Sequence, residues 1–191
     1  AKGMDAGQAY ILIFLYFFPG LIGAPVWTRA ATRLGKHRAL ALAGVVHAVV
    51  YAGVLLAPSG SFPLLAVSMI AVGLPFSASP LLCRAMLADV ADELRLAQGE
   101  DRTGMLFALL TATNKVGYAV ALITYFPLAW AGFDKTAGAV NTPFAIGVLT
   151  ALFVAAPMVL LMLGAAAIFR FPLDEARQRQ VRAALDAQGL S

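Results

Sequence analysis

Two groups of residues in this chain have types and spacing that could do chemistry. The first centres on Lys115, the one charge in the run from Gly104 to Phe133. At about 1.5 Å per helical residue it lies roughly 16 Å beyond Gly104, near the midplane of a bilayer. A cation at that depth costs roughly 2.5 to 3.5 kcal/mol, so it needs a wet cavity or a carboxylate on another helix. Thr111 at i−4, Tyr118 at i+3 and the adjacent Asn114 give it a polar stripe suited to lining a solute or cation path. The bland alternative is a lysine paired for packing alone. No acid in the neighbouring apolar runs lies at the same depth, so a carboxylate partner has to come from elsewhere.

The second group is "DVADE", Asp89 to Glu93. Asp89 and Asp92 are three apart and share a helix face. Three readings compete. The acids form a cytoplasmic gate with arginines such as Arg29, Arg33 or Arg102. Or the DxxD spacing chelates Mg²⁺-diphosphate, as in intramembrane prenyl- and phospho-transferases, although no second acidic motif supports it. Or they are a solvated helix end. No nucleophile, base and orienter occur together, and no phosphate-binding or dinucleotide-binding loop is present, so the sequence gives no basis for an enzyme. A single cysteine, Cys83, excludes an internal disulfide, and no metal-ligand spacing occurs.

The elements that must hold these residues are membrane helices. The 191 residues are 61% hydrophobic and only 13% charged, about half the charge of a soluble domain. Charge-free runs mark five spans, at about 6–28, 39–57, 63–88, 104–133 and 142–169, each near the 20 or so residues needed to cross. "APSGSFP" at 57–63 separates the second from the third by turn chemistry. Residues 170–191 read as a short cytoplasmic tail helix, with Asp174 and Glu175 near its start and Gly189 near its end. That tail is expected to anchor at the surface and to carry no chemistry.

The basic residues set an orientation. Eleven of the fourteen Lys and Arg fall in 29–38, 84–103 and the tail, on one side of the membrane, against two on the other. This bias puts the C-terminus in the cytoplasm and the N-terminus of the chain outside. It also accounts for the net charge of +4 without nucleic acid, since no basic stripe alternates with aromatics on a soluble face. An outside start with five spans is what remains of a larger even-numbered bundle that lacks its first part. Within the spans, Pro75 and Pro80 with Ser77 and Ser79 between them should kink the third. His47, with Tyr51 at i+4, should bond a neighbouring helix rather than shuttle protons.

"MLADVADE" followed by "GEDRTGMLFALLTATNKVGYA" resembles the signature joining helices ten and eleven of the glycoside–pentoside–hexuronide:cation symporters, the melibiose-permease group of the major facilitator superfamily. Asp89 and Asp92 match its acids, Arg102 and Gly104 its turn, Phe107 its aromatic and Lys115 its lysine. "PVWTRAATRLGKHR" resembles the connection between helices eight and nine, through Pro25, Trp27, Arg33, Gly35 and Lys36. Asp101 and Glu93 depart from the pattern, where a basic residue and an aromatic are usual.

The resemblance implies an all-α membrane protein whose five spans are helices eight to twelve of a twelve-helix bundle. It implies cation-coupled symport, with Na⁺ or H⁺, of a sugar or other small polar solute, in the cell (inner) membrane. The partners would be the bilayer and the absent N-terminal half, whose carboxylates Lys115 would face across a central cavity. Lys115, Asn114, Thr111 and Tyr118 would line that cavity, and Asp89, Asp92, Arg102 and Arg33 would form the cytoplasmic gate. No cofactor is expected. A Mg²⁺-dependent transferase using Asp89 and Asp92, or a non-transporting relative of the same fold, are the alternatives.

Overall fold

The computed structural model describes residues 6–54, 61–136, 139–171 and 175–189. Nine α-helices occur among them: α1 (Ala6–Leu34), α2 (Lys36–Gly53), α3 (Phe62–Phe76), α4 (Ala78–Gln98), α5 (Thr103–Leu122), α6 (Tyr125–Trp130), α7 (Pro143–Thr150), α8 (Ala156–Phe169) and α9 (Glu175–Ala187). A π-helical turn at Ala151–Ala155 joins α7 to α8. No strand occurs among the described residues. Helices satisfy their own backbone groups, the requirement that lipid imposes.

Four helical stretches are long and apolar enough to cross a membrane: Gly7–Leu34, Phe62–Gln98, Thr103–Trp130 and Pro143–Phe169. The remaining expected span, the second, corresponds to α2, which is 18 residues long and carries Lys36, His37 and Arg38 in its first turn. α2 is the central element and touches α1, α3, α4 and α8.

The helix ends differ from the sequence-based bounds for local reasons. Residues 29–38 are helical except at Gly35, whose φ of 86° is left-handed and turns the chain in one residue. The first helix therefore runs on to Leu34, and the second starts at Lys36 rather than near 39. The third span is helical throughout except at Ser77, where α3 gives way to α4. Pro80 has no N–H to give to the carbonyl of Phe76, so a break falls where a kink was expected. The fourth span is likewise interrupted at Ile123 and Thr124, four residues before Pro127, and its helix stops at Trp130 rather than 133. In the fifth, the π turn precedes Pro157, one of the sites where helices widen. Most of the expected break at 57–63 lies outside the described residues.

Packing relies on small side chains, as it must where lipid removes a hydrophobic drive between helices. One cluster joins Trp27 and Ala31 of α1, Ala39, Leu40 and Ala43 of α2, and Ala78, Leu82 and Met86 of α4. α1 and α3 come closer still. A Cβ on Gly23 would overlap the Leu74 carbonyl, and one on Gly73 would overlap the Tyr16 carbonyl. Trp27 Nε1 donates to the same Leu74 oxygen at 3.1 Å.

Gly73→Ala should therefore separate α1 from α3 and cost about 1 to 3 kcal/mol. Gly147→Ala, where a Cβ meets nothing within 4 Å, should change stability by less than about 0.5 kcal/mol. Thermal unfolding of the purified variants measures the difference. Equal melting temperatures would contradict the close α1–α3 contact.

Candidate functional site

The acids in the second half of α4 have partners that the sequence did not indicate. Asp89 is buried, with 5% of its surface exposed. Lys36 Nζ donates to its Oδ1 at 2.7 Å and its Oδ2 at 2.6 Å. Gln178 Nε2 donates to the same Oδ1, and Lys36 also reaches Gln178 Oε1 at 3.4 Å. One carboxylate thus ties the start of α2 and a face of α9 to α4. Each member of the triad satisfies the others, as a buried charge requires.

α9 is docked rather than free. Gln178, Val181 and Leu185 are its buried residues, at the i, i+3, i+7 spacing of a single face. That face lies on α4. At its edges Arg177 donates through Nε and Nη2 to Glu93 Oε1 at 3.0 and 2.9 Å, and Arg182 stands 3.7 Å from Asp92. These two rim pairs are partly solvated and each contributes at most about 1 kcal/mol. The expectation that the tail only anchors at a surface is corrected: it supplies partners for all three acids.

Other expected site residues fall as follows. Arg102 pairs with Glu100, through Nε at 3.2 Å and Nη2 at 2.9 Å, and not with Asp89 or Asp92. Arg33 lies in the last turn of α1 and makes no ion pair among the described residues. Asp101 accepts from the amide of Thr103, the first residue of α5, at 2.9 Å, and hydrogen bonds from Thr103 hold its carboxyl below the usual range. Lys36 entered the sequence reading through the matched turn and the basic tally, Arg182 only through that tally, and Gln178 not at all. The apolar spacing of Val181 and Leu185 was the signal that α9 has a docking face.

A second feature lies between α1, α2, α3, α4, α5 and α8. It is a cleft of about 810 Å³. Asn114 and Tyr118 line it from α5, His47 and Tyr51 from α2, and Arg84 from α4. His47 and Tyr51 meet at 5.8 Å between ring centroids, and Tyr51 meets Phe153 of the π turn at 5.7 Å. Lys115 and Thr111 do not line it. They sit on the part of α5 that turns away, where Thr111 donates to the Phe107 carbonyl at 2.9 Å. Every residue from Thr111 to Phe126 is exposed, and Lys115 has no ion pair among the described residues.

Long apolar helices around a mostly apolar cleft, with a charged cluster at one end of the bundle, define a multi-pass membrane protein. The sequence model of the MFS/sugar transport protein family matches residues 3–175, and the chain belongs to that family. It is therefore part of a major facilitator bundle, and its family is one of transporters rather than enzymes. The human sodium-dependent lysophosphatidylcholine symporter 1 is 28% identical over 179 residues, covering 92% of this chain and 33% of its own length. The chicken protein of the same name is 28% identical over 165 residues, covering 84% and 31%. An uncharacterized 29.9 kDa protein in the crtE 3′ region of Pseudescherichia vulneris is 28% identical over 196 residues, covering 92% and 71%. The chain thus spans about a third of the length of the symporters it matches, and those are not melibiose permeases by name.

Removing either member of the buried pair leaves the other uncompensated. Asp89→Leu should cost about 3 kcal/mol, the low end for a buried pair because Lys36 keeps some solvent contact. Lys36→Met should cost a similar amount, and the double variant should cost less than the sum of the two. A double-mutant cycle by thermal unfolding reads this coupling. Strict additivity would show that the contact carries no energy.

Proposed function

We propose that the chain is the C-terminal portion of a cation-coupled symporter that works by alternating access. The observation that carries this reading is α5. It is an apolar helix, exposed along its middle, with a lysine near its centre that has no ion pair among the described residues. Such a face suits a position against another half of the transporter, with Lys115 toward carboxylates there. An ammonium in that place competes with Na⁺ or H⁺ for the same carboxylates, so cation occupancy and helix pairing become linked. Membership of the transport family and the sodium-dependent symporters among the relatives support the same mechanism.

In this reading Asn114 and Tyr118 bond the solute in the cleft, and Thr111 and Lys115 face the cation side. Asp89 and Asp92, with Arg33 from the end of α1 and Arg102 from the turn after α4, belong to a cytoplasmic gate. Lys36 and the tail helix join that gate through Asp89. The C-terminus is then cytoplasmic, and the N-terminus of this chain lies outside.

The solute of the first reading is a sugar or glycoside, of the melibiose-permease type. A second reading, a lysophospholipid, is favoured by the apolar and aromatic walls of the cleft and by the names of the symporters that the chain matches. The transferase alternative loses its basis, since Asp89 is already held by Lys36 and Gln178.

The intact transporter in proteoliposomes tests the mechanism. An inward Na⁺ or H⁺ gradient should drive uptake of labelled methyl glucoside or of lysophosphatidylcholine. Lys115→Met should lower gradient-driven uptake by about tenfold or more, a change on the order of 1.4 kcal/mol, and leave gradient-independent exchange in place. Uptake that ignores both gradients would overturn the coupling. Unchanged coupled uptake in Lys115→Met would overturn the role of the lysine.

A further inference from the structure

The cleft has walls of uneven charge. Its aromatic lining includes Tyr16, His47, Tyr51 and Tyr118, and among the described residues no aspartate or glutamate borders it. Arg84 is the one arginine or lysine that borders it, and Arg84 makes no ion pair or hydrogen bond among the described residues. By composition alone Arg84 counts as one more basic residue at a membrane boundary. Its place on α4 separates it from that group. It lies five residues before Asp89, roughly 7.5 Å along the axis and about 140° around it. It therefore cannot share the Asp89 face, where Lys36 and Gln178 already meet the carboxylate. Pro80, one turn earlier, borders the same cleft.

We infer that Arg84 is the anion-recognising residue of this cleft. The solute it selects carries one anionic group, a phosphate or a carboxylate, on a body that is neutral or apolar. A guanidinium presents a planar fork of donors that matches both oxyanions in bidentate fashion, which an ammonium does not. Arg84 is exposed where it borders the cleft, so an anion can reach its fork without displacing a protein partner, and a charge-assisted bond there is stronger than one between neutral groups. The aromatic side chains offer ring faces to the remainder of the solute, whether a sugar ring or the start of an acyl chain. The inference rests on the cleft being the solute path, but it does not require ion coupling.

The test uses equilibrium binding to the intact transporter in nanodiscs of neutral lipid, with no ion gradient, so failure of coupling leaves the result readable. Two matched pairs of probes separate the two possible sources of the anion: oleoyl lysophosphatidate against monooleoylglycerol, and methyl glucuronide against methyl glucoside. Saturable binding above that of empty nanodiscs should favour the anionic member of at least one pair. Which pair responds identifies the source as a lipid headgroup or an acidic sugar. Arg84→Gln should weaken the anionic member by about tenfold or more and leave the neutral member unchanged. Arg84→Lys should recover part of the loss, with the melting temperature of each variant confirming a folded protein. Equal affinity for neutral and anionic members, binding of none of the four probes, or equal weakening of both members in Arg84→Gln would each overturn the inference.

Discussion

The Asp89 carboxylate is the point on which the charged end of the bundle depends. A buried carboxylate is costly unless its lone pairs are met. Here they are met from two directions by residues far away in sequence, Lys36 at the first turn of α2 and Gln178 on α9. Neither helix can shift without exposing that charge. Replacing such a triad by apolar groups could leave stability the same or higher, so its role is to specify arrangement. The tail helix shows this most directly. Only three of its side chains are buried, and without the Gln178 contact its position on α4 would rest on Val181, Leu185 and two partly solvated ion pairs.

The rest of the bundle divides into a tightly packed part and an open one. α1 and α3 touch backbone to backbone at Gly23 and Gly73, and α2 meets α8 where Gly44 faces Ala165. These contacts use glycine and alanine because close approach is the main source of attraction between helices in lipid. α5 has no equivalent. It touches α4 near their shared turn, and its exposed middle carries Lys115 and Tyr118. A helix this apolar and this unburied needs a second surface, which lipid alone does not offer to a lysine.

Much of this was legible in the sequence, and the parts that were not share a cause. Charge-free runs located the helices, since crossing lipid constrains every residue in them. Gly35 marked the turn between α1 and α2, and Pro75 with Pro80 marked the break at Ser77, because backbone chemistry acts locally. Helix ends were less legible. Arg29 and Arg33 looked like a connector by charge, yet nothing in their backbone stops a helix before Gly35. The partners of Asp89 were not legible. Several cations fall on the same side of the membrane, and choosing Lys36 over Arg33 or Arg102 depends on how α2, α4 and α9 cross. Arg84 was concealed by the same counting, since a topological tally treats every basic residue near an interface alike.

The placement of charge also limits where a coupling cation could sit. Asp89, Asp92 and Glu93 are each joined to Lys36, Arg182 or Arg177, and among the described residues no acid borders the cleft. A Na⁺ or H⁺ site needs oxygen ligands with negative charge to compete with water. In a cation-coupled transporter such ligands would therefore lie outside the cleft described, opposite Lys115 on the exposed side of α5. An anionic solute at Arg84 and a cation near Lys115 would then occupy different sides of one helix. Coupling between them would have to pass through α5 itself, through movement of Asn114 and Tyr118 relative to Lys115, rather than through direct contact of the two ions.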